Sequence, residues 1–520
     1  MAAAADNCGS SSRLRLFCEA CIPALLLAAL AHYYVDSPVL CTVACIISLA
    51  SVHPAFWSSE EDSAQPECRP GADDGAVWGS LLVPISVLAT GAGSTPRASR
   101  LNEAMVLSLG MSLTFTCWRF RTAAKASACV LWLVCIIAVG FASRPAFGDT
   151  CSVARSVLML LAVSLLQHTW RIAILKGLPR SFTVSEAAVF AQGLILVIAD
   201  FTTRVTHRLQ GDDALDSAYW ESHMHVLCLE AVVLGLWLAV SVLPRLMTFG
   251  VLGKRARRSV PGLAVLGLVF GGVGVLALAL VWYISQINPV LWMLDTVVVA
   301  PAHMAILAYW IALLAVAAVV YALAQGGASE STKLMLHVKR KSYHVLAAVM
   351  FVPGLLYARP LLYMGFAAAM TAFVVAECMR ALGVGPCSAS IDGFMRGFVD
   401  YRDAGPVVTA HFYLLLGCAL PVWLGSEPVA SLAGVLSLGV ADTAASLVGM
   451  RLGRVRWLGT AKTVEGTAAF CLSLLAAMAA VRWLAGDVGV AWGWYALVSV
   501  VVGVLEALTE QNDNLVVPLC

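Results

Sequence analysis

The sequence predicts an all-α polytopic integral membrane protein of about 14–16 transmembrane helices with no soluble domain. Three observations carry that prediction: scarce charge, many apolar runs of membrane-spanning length, and basic segments that recur at every second run. Of 520 residues only 12% are charged and 60% are apolar, with a mean hydropathy of +0.85. A soluble domain carries about 25% charged residues, roughly twice this density. A hydrocarbon core of ~30 Å needs ~20 helical residues to cross it.

The start, through Val35, reads as a retained first span, because its apolar run is long and further spans follow. Candidate runs then lie at 16–35, 38–57, 77–92, 103–118, 126–142, 155–175, 184–201 and 224–247. They continue at 259–285, 303–325, 343–358, 361–382, 407–425, 427–449, 464–484 and 490–510. Runs 77–92, 103–118 and 343–358 are short for a span, and 289–302, with Asp295 and Pro301, reads as re-entrant or lumenal. No repeat of 20–50 residues is visible. Most of the 16 cysteines, Cys41 and Cys418 among them, lie in apolar runs, where they act as small hydrophobes rather than a disulfide framework. His223 and His225 beside Glu221 read as surface, and Gly267-x-x-x-Gly271 as a helix-packing contact.

Orientation follows from the basic segments Arg119–Lys125, Arg171–Arg180, Lys254–Arg258, Lys333–Lys341, Arg396–Arg402 and Arg451–Lys462. Two predicted spans separate each neighbouring pair, so all six fall on one face, the cytosolic one. The intervening segment Thr202–His223 is acidic, as the opposite face should be. A net charge of +2 with no domain-wide basic face gives nucleic-acid binding no support.

Ionisable residues at membrane depth are costly and point to function. They concentrate after residue 330, which divides a multi-span region, 1–330, from a functional region, 331–520. The richest stretch, 442–466, is expected to form a cytosolic loop that binds nucleotide. Asp442, Thr443 and Ser446 fall within about one helical turn at the cytosolic end of an apolar helix. Gly449, Gly453 and Gly459 let backbone N–H groups approach an anion, while Arg451, Arg454, Arg456 and Lys462 supply positive charge. Thr460, Lys462, Thr463, Glu465 and Gly466 complete a G-T-x-K-T-x-E-G run opening the next helix, whose free N–H groups favour phosphate. Phosphoryl transfer needs such cations and backbone donors, with a carboxylate for a divalent metal. Basic residues alone would satisfy the positive-inside rule and nothing more, but that does not account for Asp442 inside a helix. No soluble-kinase signature is present, since the Gly459–Lys462 spacing is wrong for a phosphate-binding loop. The residues alone thus lead to an anion-binding membrane enzyme.

Several blocks in order resemble the dolichol kinase family over about residues 337–517. They are Lys339–His344, Glu377–Arg380, Phe398–Pro406, Thr409–Gly417, the Asp442–Gly466 stretch and Leu505–Asn514. Ala461 departs from the family's common lysine and Leu458 from its common proline. The first 330 residues show only general membrane character. The resemblance implies transfer of the γ-phosphoryl of CTP to the terminal hydroxyl of dolichol in the endoplasmic reticulum membrane, with Mg²⁺ as the divalent cation. It also implies that the CTP site maps onto 442–466.

On that reading Asp442 is the first choice of metal ligand, and Lys462, assisted by Arg454 and Arg456, meets the β- and γ-phosphates. Thr443, Ser446, Gly449, Gly453, Gly459, Thr460, Thr463 and Gly466 line the nucleotide. Glu465 either binds metal or caps the helix start, where Thr463 is placed to serve as N-cap. Asp513, a second metal ligand, lies seven residues after Glu506, a spacing that puts both on one helical face. Lys341 and His344 precede a helix, placed for phosphate or anionic headgroups. Other CTP-using lipid enzymes, such as a phytol or diacylglycerol kinase or a cytidylyltransferase, share the D-T-x-A-S and K-T-x-E-G elements. A transporter would instead spread its polar residues over two related halves.

Overall fold

The computed structural model describes residues 2–34, 38–53, 68–69, 75–91, 98–120, 125–142, 153–210, 217–248, 260–325, 333–396, 405–425, 427–457, 460–486, 491–509 and 511–519. These residues are helical apart from turns, caps and one isolated bridge, Arg456 with Thr463. In chain order the helices are α1 (Ala2–Tyr34), α2 (Pro38–Val52), α3 (Ala76–Gly91), α4 (Ala98–Phe120), α5 (Lys125–Ala142), α6 (Val153–Gly177) and α7 (Val184–Gln210). Next come α8 (Ser217–Thr248), α9 (Val260–Ser285), α10 (Pro289–Val298), α11 (Pro301–Gln325), α12 (Lys333–Tyr357), α13 (Arg359–Leu382) and α14 (Ser388–Arg396). The last group is α15 (Thr409–Leu424), α16 (Pro428–Ser431), a π-helical stretch (Val435–Ala441) running into α17 (Asp442–Leu452), α18 (Val464–Ala485), α19 (Trp492–Leu508) and α20 (Asp513–Leu519).

Among the described residues, eight helical stretches are long and apolar enough to cross a membrane: 153–177, 184–210, 219–247, 261–285, 301–320, 359–382, 435–452 and 464–485. Five shorter apolar helices accompany them, α10, α15 and α19 complete and α2 and α3 in part. The chain is therefore an all-α, multi-pass membrane protein. The run at 289–302 becomes α10, capped by Asn288, whose side chain accepts from Val290 and Leu291 N–H.

Packing divides the chain into two units, residues 1–196 with 401–520, and residues 197–400. In the first, amino-terminal and carboxy-terminal helices share one core. Trp78, Leu82, Phe115, Leu505, Leu515 and Val516 are all buried in it. Helix α1 packs on α3 and α19, and α20 packs on α3 and α15. Local signals set the boundaries: α18 starts at the N-cap Thr463 and stops at Gly486, whose φ of 68° is a left-handed cap.

In the second unit α8 packs on α9 and α13. Arg204 pairs with Asp200 (2.8 Å) and Glu230 (3.3 Å), while Glu377 pairs with Arg380 (2.6 Å). The glycines at 267 and 271 do not make the packing contact expected of them, since a Cβ at either meets nothing within 4 Å. The close approach falls instead at Gly235, where a Cβ would lie 2.9 Å from Val273. Bulk on α9 enters a gap on α8. His223 stacks on Tyr219 at 4.2 Å.

Candidate active site

The stretch 442–466 is only partly a loop. Its first eleven residues are helix α17, because Asp442–Leu452 holds no proline and continues the preceding apolar helical stretch. Residues 453–457 and 460–463 follow as the two arms of a turn, and α18 begins at Val464. In the turn the Arg456–Thr463 bridge pairs its two arms, Trp457 N–H donates to Lys462 O (3.0 Å) and Val464 N–H to Val455 O (2.8 Å).

Asp442 lies where the π-helical stretch gives way to α17, and it is buried. Such π segments widen a helix locally and recur at functional sites. This one is wedged by glycines. A Cβ on Gly434 would stand 1.9 Å from the Gly417 carbonyl oxygen, and one on Gly417 would stand 2.0 Å from that of Asn514. Backbone-to-backbone contact thus ties α15 to both the π-helical stretch and α20, the elements next to Asp442 and Asp513.

Glu506 and Asp513 do not share one helix, as a continuous segment would have required. Helix α19 ends at Leu508, and α20 begins at Asp513. Short polar side chains divert the backbone in between. Thr509 Oγ1 accepts from Gln511 N–H (3.2 Å), and Asn512 Oδ1 accepts from Asn514 N–H (3.2 Å). The resulting turn brings the two carboxylates together with Asp442: one oxygen from each of Asp442, Glu506 and Asp513 lies within 4.8 Å of the others. No other group of three potential metal ligands occurs among the described residues.

Lys462 enters this trio from the turn before α18. Its Nζ lies 2.6 Å from Glu506 Oε1 and donates as well to the Glu506 backbone carbonyl. Burial works against the ammonium, but Glu506, then Asp513 and Asp442, hold its pKa above the ordinary lysine value. The ammonium is the one cation among the three carboxyl groups.

Other residues expected at the site have different partners. Glu465 stands outside the trio; its carboxylate accepts from the N–H groups of Arg454 (3.1 Å) and Val455 (3.2 Å) and so clamps the turn. Thr463 takes the N-cap role, accepting from Gly466 N–H (3.2 Å). That bond and the one from Gly453 N–H to Gly449 O (3.2 Å) use two backbone donors expected to face an anion. Gly449, Gly453 and Gly466 instead let α17 cross α18 closely around Thr463. A Cβ at these positions would fall 3.1, 2.8 and 3.0 Å from Thr463 Oγ1.

Thr443 donates to Gly439 O (3.0 Å), Ser446 is half-buried and Thr460 Oγ1 accepts from Lys462 N–H (3.2 Å). Arg454 and Arg456 are exposed on the turn. Lys341 and His344 lie on α12, in the other unit, with His344 buried. Gly459 and 397–404 lie outside the described residues. Glu506 is the member that sequence reasoning left without a role; its depth in an apolar helix was the available signal.

Fold and site together define a polytopic helical membrane enzyme with a carboxylate-and-lysine centre near its carboxy-terminal end. The model of the dolichol kinase family matches residues 148–419, so similarity begins well before residue 337. Mouse dolichol kinase is 32% identical over 382 residues, 70% of this chain and 68% of that protein. Human dolichol kinase is 32% identical over 385 residues, with the same coverage of 70% and 68%. The dolichol kinase EVAN of Arabidopsis thaliana is 29% identical over 515 residues, 87% of each chain. No solved structure matches. The chain belongs to the dolichol kinase family.

Proposed function

We propose that this chain transfers the γ-phosphoryl group of CTP to the terminal hydroxyl of dolichol, at the cytosolic face of the endoplasmic reticulum membrane. The observation that carries the reading is the convergence of Asp442, Glu506 and Asp513 around Lys462. A phosphorylating enzyme must neutralise charge on the transferring group and hold it in line with the acceptor. The donor set is all hard oxygen, which suits Mg²⁺. The three carboxylates would hold that cation, which when bound neutralises charge on the phosphate oxygens.

Lys462 supplies a second positive charge beside that cation and, on this reading, meets the β- and γ-phosphates. Arg454 and Arg456, exposed on the turn, are free to approach the nucleotide from solvent. In the reaction the dolichol hydroxyl oxygen forms a bond to the γ-phosphorus, and the bond from that phosphorus to the bridging oxygen of CDP breaks. The hydroxyl proton leaves to a carboxylate of the site. The long acceptor tail stays in the bilayer, and only its hydroxyl needs to reach the ends of the apolar helices that carry the trio.

The test is to incubate the purified protein with γ-labelled CTP, dolichol and Mg²⁺, and to look for labelled dolichyl phosphate. Label that appears on diacylglycerol instead, or only when ATP is the donor, overturns the reading. Asp442→Asn should abolish transfer while expression is retained; near-normal turnover in that variant would remove Asp442 from the site.

A further inference from the structure

Leu508 and Gln511, which lie between Glu506 and Asp513, are gripped from the amino-terminal helices by two buried polar arms. The first comes from α1. Arg15, 4% exposed, donates through Nη1 to the Leu508 carbonyl (2.8 Å), two residues after Glu506. That carbonyl belongs to the last turn of α19, where oxygens lack intrahelical donors and a cation suits the helix dipole. Glu19, 3.6 Å from Arg15, fixes the guanidinium and in turn accepts from Trp78 Nε1 (2.8 Å).

The second arm comes from the start of α7. Thr183 Oγ1 donates to Gln511 Oε1 (3.3 Å) within the turn itself. Thr183 is fixed by a capping box: its N–H donates to Glu186 Oε2 (3.0 Å) and Glu186 N–H donates to its hydroxyl (3.1 Å). Arg69 Nη2 locks Glu186 from behind at 2.7 Å. Gly75, at φ +66°, gives Gln511 its room, because a Cβ there would stand 2.5 Å from Gln511 Oε1.

Buried ion pairs carry a desolvation cost that often matches their attraction, so stability alone does not explain two of them converging on one turn. We propose that Arg15 and Thr183 are positioning residues: through Leu508 and Gln511 they hold Glu506 and Asp513 at the separation a divalent cation needs. This assigns a role to the amino-terminal helices in the chemistry of the carboxy-terminal ones. It rests on the reading of the carboxylate trio as a cation site. Groups that orient metal ligands typically alter metal affinity 10–100-fold when removed.

The experiment measures Mn²⁺ binding by electron paramagnetic resonance on the full-length, detergent-solubilised protein, without nucleotide or lipid. Arg15→Met and Thr183→Val should each weaken Mn²⁺ binding by about 10-fold or more. Arg15→Lys should restore most of the affinity, since an ammonium still donates to the Leu508 carbonyl. Leu160→Ala, a cavity variant on α6, serves as the control for general destabilisation; it should lower the melting temperature and leave Mn²⁺ affinity unchanged. If Arg15→Met does not accumulate, Thr183→Val, which removes one hydroxyl, decides alone. Wild-type affinity in both variants, or a loss no larger than in Leu160→Ala, overturns the positioning role. Mn²⁺ binding that is absent from the wild type, or that survives Asp442→Asn combined with Asp513→Asn, overturns the cation site and the proposal with it.

Discussion

Lys462 Nζ lies 2.6 Å from Glu506 Oε1, so a residue at the mouth of α18 closes onto the last turns of α19. The contact joins the two helices that enter and leave the site. It also places one ammonium among three carboxyl groups, whose mutual repulsion when ionised opposes the fold.

Replacing Lys462 with Met should therefore do two things. Turnover should fall by about 10²–10³-fold or more, since removing even one neutral donor from an oxyanion site costs about that much. Thermal stability without divalent cation should also fall, and added Mg²⁺ should recover more of it than in the wild type. Lys462→Arg should keep part of the stability and little of the turnover. Calorimetry with and without Mg²⁺, alongside a transfer assay, separates these effects. A Lys462→Met protein equally stable without cation would show that the ammonium is not the counter-charge.

The same pair sets a pH dependence. Lys462 has a folded-state pKa raised above its ordinary value by Glu506, Asp513 and Asp442. A raised lysine stabilises the fold fully below the unfolded value of about 10.4 and loses that contribution as pH climbs through the folded value. Stability measured from pH 8 to 10 should thus show no step from this group. A decline should set in only above the ordinary lysine range, and Lys462→Met should lack that component. A decline already complete by pH 9 in the wild type alone would contradict the assignment.

Glu465 tests the difference between sequence and structure. Its carboxylate bonds the N–H groups of Arg454 and Val455 rather than joining Asp442, Glu506 and Asp513. Glu465→Gln keeps an acceptor oxygen and loses only the charge assistance, so turnover at saturating CTP should stay within about 10-fold of wild type. The requirement for CTP should rise, because the turn carrying Arg454 and Arg456 is held less firmly. Steady-state kinetics over a range of CTP settle it: a loss of 10³-fold or more in turnover, as for a removed metal ligand, would return Glu465 to the chemistry.

What the sequence made legible was whatever announces itself locally. Asp442 stood out because a carboxylate in an apolar run is costly, and Thr463 because an N-cap before a helix is a short-range signal. Lys462 was visible as the cation of a patterned run. Glu506 was not assigned a role, because its partners Lys462 and Asp442 are 44 and 64 residues away and meet it only once the helices are packed. The glycines misled for a related reason. A small residue permits close approach equally well by an anion or a second helix, and the crossing partner of Gly449 and Gly453 is visible only once α17 and α18 are packed. The amino-terminal arms at Arg15 and Thr183 reach Leu508 and Gln511 across hundreds of residues, and nothing local to either residue names that partner.

Gly434 provides the sharpest test of how the site is held. A Cβ there would lie 1.9 Å from the Gly417 carbonyl oxygen, too close to be absorbed without moving the backbone of α15 or of the π-helical stretch. Gly417 is itself packed so that its own Cβ would meet the Asn514 carbonyl at 2.0 Å, hence a shift of α15 is resisted by α20. The displacement must then fall largely on the π-helical stretch, whose last residue precedes Asp442. A misplacement of about 1 Å in a reacting group can cost on the order of 10² in rate. Gly434→Ala should accordingly lose about that much turnover, together with several degrees of melting temperature. Gly493→Ala, where a Cβ meets nothing within 4 Å, should lose neither. Melting curves and transfer assays on the two variants make the comparison, and wild-type turnover in Gly434→Ala would show that the π-helical stretch does not fix the position of Asp442.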